Sequence, residues 1–147
     1  MTIINSNLQW RPTNAPAASS RTDDIWFLDA ATGWAVNSNG QILFTDDGGE
    51  SWSEQFHSPA YLRCVGFANK SKGWVGTLTA AARFYQTVDG GKTWTTVQNL
   101  PAAAPSAICG LSVVNEAVIY ASGTNYPNRP PRMIKSIDGE NRGQVGK

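Results

Sequence analysis

An eight-residue motif occurs twice in the chain, and it limits the possible fold more than any other feature. Thr45 to Trp52 reads TDDGGESW and Thr87 to Trp94 reads TVDGGKTW, a displacement of 42 residues. Both copies fit the pattern [Ser/Thr]-x-Asp-Gly-Gly-x-[Ser/Thr]-Trp. A third copy begins at Ser136-Ile137-Asp138-Gly139 and departs from the pattern at Glu140. Self-similarity at a period of about 40 to 50 residues indicates a repeat architecture, in which each copy is one structural unit.

Each copy of the motif has the chemistry of a tight turn between two strands. Its glycines supply positive φ, and an Asp side chain in such a turn accepts hydrogen bonds from backbone N–H groups two residues on. We therefore expect the Asp to be the buried acceptor of the turn, with the hydroxyls holding its ends and the Trp packing against a neighbouring unit. The residues expected to have this structural role are Thr45, Asp47, Gly49, Ser51, Trp52, Thr87, Asp89, Gly91, Thr93, Trp94, Ser136 and Asp138.

The motif resembles the Asp-box, also called the bacterial neuraminidase repeat, which occurs in sialidases, some xyloglucan hydrolases, sortilin-type receptors and photosystem II stability and assembly factors. The repeated segments Gly33-Trp34-Ala35-Val36 and Gly73-Trp74-Val75-Gly76 are most similar to the assembly factor branch. The resemblance covers about residues 8–139. It implies a β-propeller with each box on the turn between the third and fourth strands of a blade.

The rest of the chain repeats short apolar runs and turns, which predicts an all-β fold of three four-stranded antiparallel sheets. We expect one partial propeller domain over residues 1–147, with blades at about 24–56, 63–98 and 108–139. Trp10 looks like the end of a repeat whose beginning is missing, so residues 7–11 are expected to be a strand exchanged across the closure of the ring. No long segment has the 3.6-residue period of an amphipathic helix, so helix content is expected to be very low.

Three blades are fewer than the four to eight that usually close a propeller. A single chain would leave two blade faces bare, which is unusual for a stable monomer. We therefore expect a homo-oligomer, in which two copies close a six-bladed ring. A truncated gene product without independent function is an alternative, because the motif is lost after Gly139.

Composition narrows the function classes. The net charge is +1, which gives no strong attraction to nucleic acid or to an anionic membrane. The sequence has no apolar stretch of about 18 residues, so no membrane span is expected. Its first residues, Met1-Thr2-Ile3, lack the basic and apolar regions of a signal peptide, which makes the cytoplasm the default location.

The sequence carries no recognisable catalytic constellation. His57 is the single histidine, and we expect it to be a solvated loop residue. No nucleophile elbow, P-loop or dinucleotide fingerprint is present. Cys64 and Cys109 are expected to be reduced and buried, since two cysteines and one histidine make a poor metal site. We therefore expect no catalytic residue, no metal and no cofactor, and we favour a non-enzymatic role while leaving enzymatic activity open.

A candidate binding face lies on the loops at the end of the blades opposite the boxes. The largest insertion, residues 123–131, carries aromatic and Arg residues between prolines, which suits a protein or glycan contact. The candidate residues are His57, Tyr61, Asn125, Tyr126, Arg129 and Arg132. The favoured function is a non-catalytic binding or scaffold module. The alternative is a fragment of an Asp-box glycoside hydrolase, either sialidase-like or xyloglucanase-like.

Overall fold

Almost all regular structure in the chain is β-strand. The computed structural model describes residues 7–125, 130 and 132–137. Within these residues there are eleven strands and a single-turn 3-10 helix at Ala80–Ala82. The predicted all-β class is therefore confirmed, and so is the very low helix content of the described part.

The strands form three antiparallel sheets in which neighbours in sequence are neighbours in space. The first blade contains β1 (Thr22–Phe27), β2 (Gly33–Asn37), β3 (Gln41–Thr45) and β4 (Ser53–His57). The second contains β5 (Leu62–Phe67), β6 (Gly73–Thr77), β7 (Phe84–Thr87) and β8 (Thr95–Thr96). The third contains β9 (Ala107–Val113), β10 (Ile119–Thr124) and β11 (Ile134–Lys135). Strand β5 packs between β1 and β9, so the first strands of the three blades lie side by side.

The third sheet has three strands among the described residues, whereas the other two have four. Residues 7–11, predicted as a strand exchanged across the closure, form no strand within the single chain. A strand needs a partner for its backbone N–H and C=O groups, and this segment is not paired with any of the three described sheets. The third box continues into Asp138, which lies outside the described residues.

The main hydrophobic core lies between the first and second blades. The Trp34 ring stacks on the Phe67 ring with centroids 3.5 Å apart and planes 8° apart. Phe67 also meets Trp94 edge to face, with centroids 5.9 Å apart. A smaller cluster, which includes Cys64 and Ile108, joins the second blade to the third. The two repeat tryptophans therefore pack on different sides of one phenylalanine, one from each blade.

The repeated Gly-Trp pair has a steric reason. A Cβ built on Gly73 lies 2.4 Å from the Phe67 ring, and one built on Gly33 lies 2.5 Å from the Phe27 ring. Because real Cβ atoms do not approach other atoms so closely, only glycine lets the phenylalanine lie across the second strand. The Gly of this pair is thus required by the aromatic side chain on the first strand.

Residues 7–20 run along the first blade from its box to its opposite end. At the box, Asn14 N donates to Gly49 O at 3.3 Å, and the Arg11 guanidinium pairs with the Glu50 carboxylate. At the other end, Ser19 N donates to Asn39 Oδ1 at 3.2 Å. This stretch is named the N-terminal strap, and it joins the two ends of the first blade.

Both cysteines are free, as predicted. Cys64 is buried, and its burial raises the pKa of the thiol to about 12. Cys109, which the sequence also predicts to be buried, is half-buried. In the part of the chain that the structure describes, no helix is long and apolar enough to cross a membrane.

Candidate binding surfaces

The first Asp-box is organised around the hydroxyl of its first residue. Thr45 Oγ1 accepts a hydrogen bond from Gly49 N at 2.9 Å and donates one to Asp47 Oδ1 at 2.8 Å. Asp47 in turn accepts bonds from Ser51 N at 2.9 Å and from Ser51 Oγ at 2.6 Å. Trp52 Nε1 closes the turn by donating to Gly49 O at 3.1 Å.

The second box repeats this geometry almost atom for atom. Thr87 Oγ1 accepts from Gly91 N at 2.9 Å and donates to Asp89 Oδ1 at 2.9 Å. Thr93 donates to Asp89 through N at 2.9 Å and through Oγ1 at 2.6 Å. Trp94 Nε1 donates to Gly91 O at 3.0 Å. The two boxes therefore share the same set of hydrogen bonds as well as the same sequence pattern.

The buried polar atom of each box belongs to the Thr and not to the Asp, which corrects the expectation drawn from the sequence. Thr45 and Thr87 are 1% and 3% exposed, whereas Asp47 and Asp89 are exposed. The bonds donated by the following Ser51 or Thr93 hold the pKa of each carboxyl at about 2. The Asp is thus an ionised residue on the outside of the turn, where its carboxylate accepts hydrogen bonds from both ends of the box.

The first blade supplies a side chain that supports the second box. Gln55 of β4 donates from Nε2 to Gly90 O at 3.0 Å and accepts from Trp34 Nε1 at 3.1 Å. A Cβ on Gly91 would lie 2.0 Å from the Gln55 amide oxygen, so the second box glycine is needed for this approach. At the first box the nearest atom to a Cβ on Gly49 is Thr13 Cγ2 of the N-terminal strap, at 3.4 Å.

The end of the blades opposite the boxes carries a charged cluster on the first strands. Asp23 Oδ1 lies 3.1 Å from Arg21 Nη2 and 3.3 Å from Arg63 Nε. The second contact is an ion pair without hydrogen-bond geometry, because the buried Arg63 Nε has no hydrogen-bond partner among the described residues. The Arg21 guanidinium carbon also lies 5.6 Å from the centroid of the Tyr61 ring. This set of residues, Arg21, Asp23, Tyr61 and Arg63, is named the loop-end cluster.

Sequence reasoning placed Tyr61 in this region but missed the charge network around it. Asp23 and Arg63 are equivalent residues, 40 positions apart, and each lies where β1 or β5 has an irregularity in its pairing. The side chain of Asp23 is 6% exposed, that of Arg63 29% and that of Arg21 54%. The 40-residue repeat offset was the signal that would have paired Asp23 with Arg63.

The other candidate binding residues are placed differently. His57 is exposed at the end of β4, with Nδ1 3.7 Å from Glu54 Oε2. Asn125 is buried, and its side chain accepts a bond from Ser106 N, so it does not present an exposed surface. Arg132 is exposed, and its backbone N donates to Ala103 O at 3.0 Å. Tyr126 and Arg129 lie outside the described residues.

No cluster with the chemistry of a metal site occurs in residues 7–125, 130 and 132–137, since none brings together three His, Cys, Asp or Glu side chains. Among the described residues, Glu54 is the only acidic group within 4.0 Å of a nitrogen of the single histidine. The arrangement brings cationic and aromatic groups to one end of the blades, which suits binding of an anionic or amphipathic partner.

The two outer blade faces expose residues whose repeat equivalents are buried. On the first blade, Ile25 is 59% and Phe27 38% exposed. Their equivalents on the second blade, Val65 and Phe67, are both 1% exposed. The first blade therefore presents one half of an inter-blade contact to the outside.

The third blade presents the opposite half of such a contact. Tyr120 follows Ile119 on β10 as Trp34 follows Gly33 on β2, and it is 38% exposed where Trp34 is 1% exposed. The Lys135 ammonium nitrogen lies over the Tyr120 ring, 5.4 Å from the ring centroid. We refer to the row of three blades as the arc. Phe27 on its first blade and Tyr120 on its third blade thus correspond to the two sides of a contact between neighbouring blades.

Residues 3–129 match the model of the family described as photosynthesis system II assembly factor YCF48. No curated protein matches the chain. Among solved structures, YCF48 bound to a D1 peptide is 22% identical, with a TM-score of 0.64 over 80% of this chain and 38% of that chain. YCF48 from Cyanidioschyzon merolae is 21% identical, with a TM-score of 0.62 over 80% of this chain and 34% of that one.

A glycoside hydrolase also shares the fold. The GH74 xyloglucanase from Xanthomonas campestris is 16% identical, with a TM-score of 0.56 over 71% of this chain and 19% of that one. At these identities the structures establish a shared β-propeller fold and no shared activity. The chain spans little more than a third of the length of the YCF48 structures that it matches.

Proposed function

Because the chain belongs to the photosynthesis system II assembly factor YCF48 family, we propose that it is a non-catalytic binding module for a protein partner. The loop-end cluster carries this proposal, since it places two guanidinium groups and an aromatic ring at one accessible end of the blades. A solved YCF48 holds a D1 peptide, which supports a peptide segment as the kind of partner.

The charge of the loop-end cluster favours an acidic segment. Within the loop-end cluster two guanidinium groups contact one carboxylate, that of Asp23, so these four residues carry one net positive charge. Arg21 is 54% exposed, and a planar guanidinium binds a carboxylate through two parallel hydrogen bonds. Tyr61 beside it offers a flat apolar surface. His57 and Arg132 are included in the proposed face, together with Tyr126 and Arg129.

Fluorescence anisotropy with labelled ten-residue peptides, rich in either Glu or Lys, tests this assignment. We expect the acidic peptides alone to bind, and Arg21→Ala to weaken them by about tenfold, since a charge-assisted hydrogen bond contributes about 1.5 kcal/mol. Arg11→Ala is the matched control, because Arg11 is an exposed arginine with one acidic partner at the box end. The binding should also weaken with added salt.

Three results would overturn the assignment. Equal losses in the Arg11 and Arg21 variants would place the binding elsewhere. If no acidic peptide binds, an acidic segment is not the partner of this surface. Hydrolysis of xyloglucan oligosaccharides or sialosides by the purified chain would contradict a non-catalytic module and favour the glycoside hydrolase alternative.

We also propose that residues 1–147 act as one partial propeller domain and that two copies close a ring. This proposal is supported by the three-blade arc and by the exposed Phe27 and Tyr120 at its two ends. Light scattering on an eluting peak at micromolar concentration should give about twice 15.8 kDa. A stable species of 15.8 kDa would refute the pairing of copies.

A further inference from the structure

We propose that Tyr120 of one copy stacks on Phe27 of a second copy, at both places where the copies meet. The inference rests on the proposed pairing of two copies and assigns the residues that hold it. It defines a docking surface on each end of the arc, with a second copy of this chain as the occupant.

The contact between the first two blades is the template for this docking. There the second-strand ring of Trp34 lies flat on the first-strand ring of Phe67, with centroids 3.5 Å apart. Both rings are 1% exposed, and Phe44 on β3 tilts against the Trp34 ring at 5.4 Å. An aromatic residue on the second strand of one blade thus packs on a first-strand residue of the next blade.

Strand register assigns the equivalent residues at the ends of the arc. Phe27 pairs with Gly33 on the first blade as Phe67 pairs with Gly73 on the second. On the third blade Val113 pairs with Ile119, so Tyr120 occupies the position of the template tryptophan. Phe27 and Tyr120 therefore have the places of the two rings in the template, one on each bare face.

The neighbours of the two rings also correspond to the template. Tyr120 pairs across the strands with Lys135, as Trp34 pairs with Phe44. Phe27 meets Trp52 edge to face at 6.1 Å, as Phe67 meets Trp94 at 5.9 Å. Each half of the stack is thus already supported within its own blade and lacks only the ring from the other copy.

The N-terminal strap favours a second copy as the occupant. Thr13 follows Trp10 by three positions, as Gln55 follows Trp52, and both side chains lie against the second glycine of the next box. The strap therefore lies on the first blade as β4 lies on the second. Its Trp10 is 91% exposed, whereas the box tryptophan Trp94 is 8% exposed.

The third blade has no fourth strand among the described residues, and the N-terminal strap of a second copy can supply one. Strand β11 pairs with β10 on one side, and no described strand of this chain pairs with its other side. The third box has Gly143 where the pattern places Trp. The exposed Trp10 of the strap and the open edge of the third blade are therefore complementary, and a second copy brings the two together.

Sedimentation equilibrium on the 147-residue chain over a concentration series tests the contact. We expect Tyr120→Ala and Phe27→Ala each to raise the dissociation constant by at least about 30-fold, because each substitution removes both stacks of the pair. Tyr120→Phe keeps the ring and should pair like the wild type. Val88→Ala is the matched control, because Val88 is an apolar residue 68% exposed on a box turn.

A mixture of the two weakened variants gives a sharper test. Each copy with Phe27→Ala still has Tyr120, and each copy with Tyr120→Ala still has Phe27, so a mixed pair has one complete stack whereas neither variant alone has any. We expect the mixture to pair at least about fivefold more tightly than either variant alone. This recovery also shows that both variants are folded, and circular dichroism of each variant checks it independently.

The outcomes separate this inference from the proposal on which it rests. A wild-type chain that stays at 15.8 kDa refutes pairing of copies and the stack with it. A wild-type dimer whose Phe27→Ala and Tyr120→Ala variants pair normally overturns the stack and leaves pairing intact. The stack is supported if both alanine variants pair more weakly than the wild type, Tyr120→Phe pairs like the wild type, and the mixture of the two alanine variants pairs more tightly than either alone.

Discussion

The buried hydroxyl at the centre of each box allows a test in which shape is conserved and only hydrogen bonds are lost. Thr87→Val replaces the hydroxyl with a methyl group of similar size, so no cavity forms. The substitution removes the acceptor for Gly91 N and the donor to Asp89 Oδ1, both at 2.9 Å. It also removes a weaker bond from Asp89 N at 3.3 Å.

The expected magnitude follows from the burial of these groups. Gly91 is buried, so its N–H loses its partner without access to water, which costs about 1–3 kcal/mol. The Asp89 groups are exposed and bind water instead, so they add little. The free energy of unfolding should fall by about 1–3 kcal/mol, and Tm by roughly 2–12 °C for a domain of this size.

Urea denaturation followed by far-UV circular dichroism measures the change. The chain contains an internal replicate, because Thr45 has the same bonds in the first box. Thr45→Val and Thr87→Val should agree to within about 0.5 kcal/mol. Thr95→Val on β8 is the control, since Thr95 is exposed and its substitution should change stability by less than about 0.5 kcal/mol.

Two results would refute the reasoning. If both box variants unfold within about 0.5 kcal/mol of the wild type, the hydroxyl does not organise the turn. If only one box responds, the identical hydrogen bonds do not have the same energetic role, and the context of each blade decides its stability.

Three further predictions concern the core, the box carboxylate and the thiols. Phe67→Ala removes the ring stacked on Trp34 and should cost about 3–5 kcal/mol in urea denaturation, so a loss below about 1 kcal/mol would contradict the packing. The folded pKa of Asp89, about 2, lies below the ordinary value near 4, so its stabilisation is present at neutral pH and is lost as pH falls from about 4 through 2. The Tm difference between wild type and Asp89→Ala should therefore shrink over that window in thermal scans. Iodoacetamide at pH 8 should modify Cys109 before Cys64 in the folded chain, and mass spectrometry that finds the reverse order would contradict the burial of Cys64.

The fold was predictable because its determinants are local. A box needs only eight consecutive residues to make its hydrogen bonds, so the copies at Thr45 and Thr87 indicate strands and turns directly. The order and direction of the strands follow from the repeat. The bare third blade and the unpaired Trp10 were also visible, since both are departures from a known period.

The candidate site was less predictable because its contacts join residues from different blades. The residues next to Asp23 in the sequence do not indicate that its carboxylate contacts Arg63, and only the 40-residue repeat offset relates the two positions. The polarity of the box was also misjudged, since the carboxylate has the stronger turn chemistry but the Thr45 hydroxyl has the buried position. Asn125 was assigned to an exposed face from its loop, yet it is buried and accepts a hydrogen bond from Ser106 N.

The bond from Gln55 to Gly90 has a consequence for any attempt to cut or graft this chain. A cut at the edge of a sheet, between His57 and Leu62, would leave the second box in one fragment and the side chain that holds it in the other. The transferable module is therefore offset from the visible blade by one strand. It begins with the last strand of one sheet and ends with the third strand and turn of the next. Recombined or shortened versions should be spliced at that offset, because each piece then carries its own support.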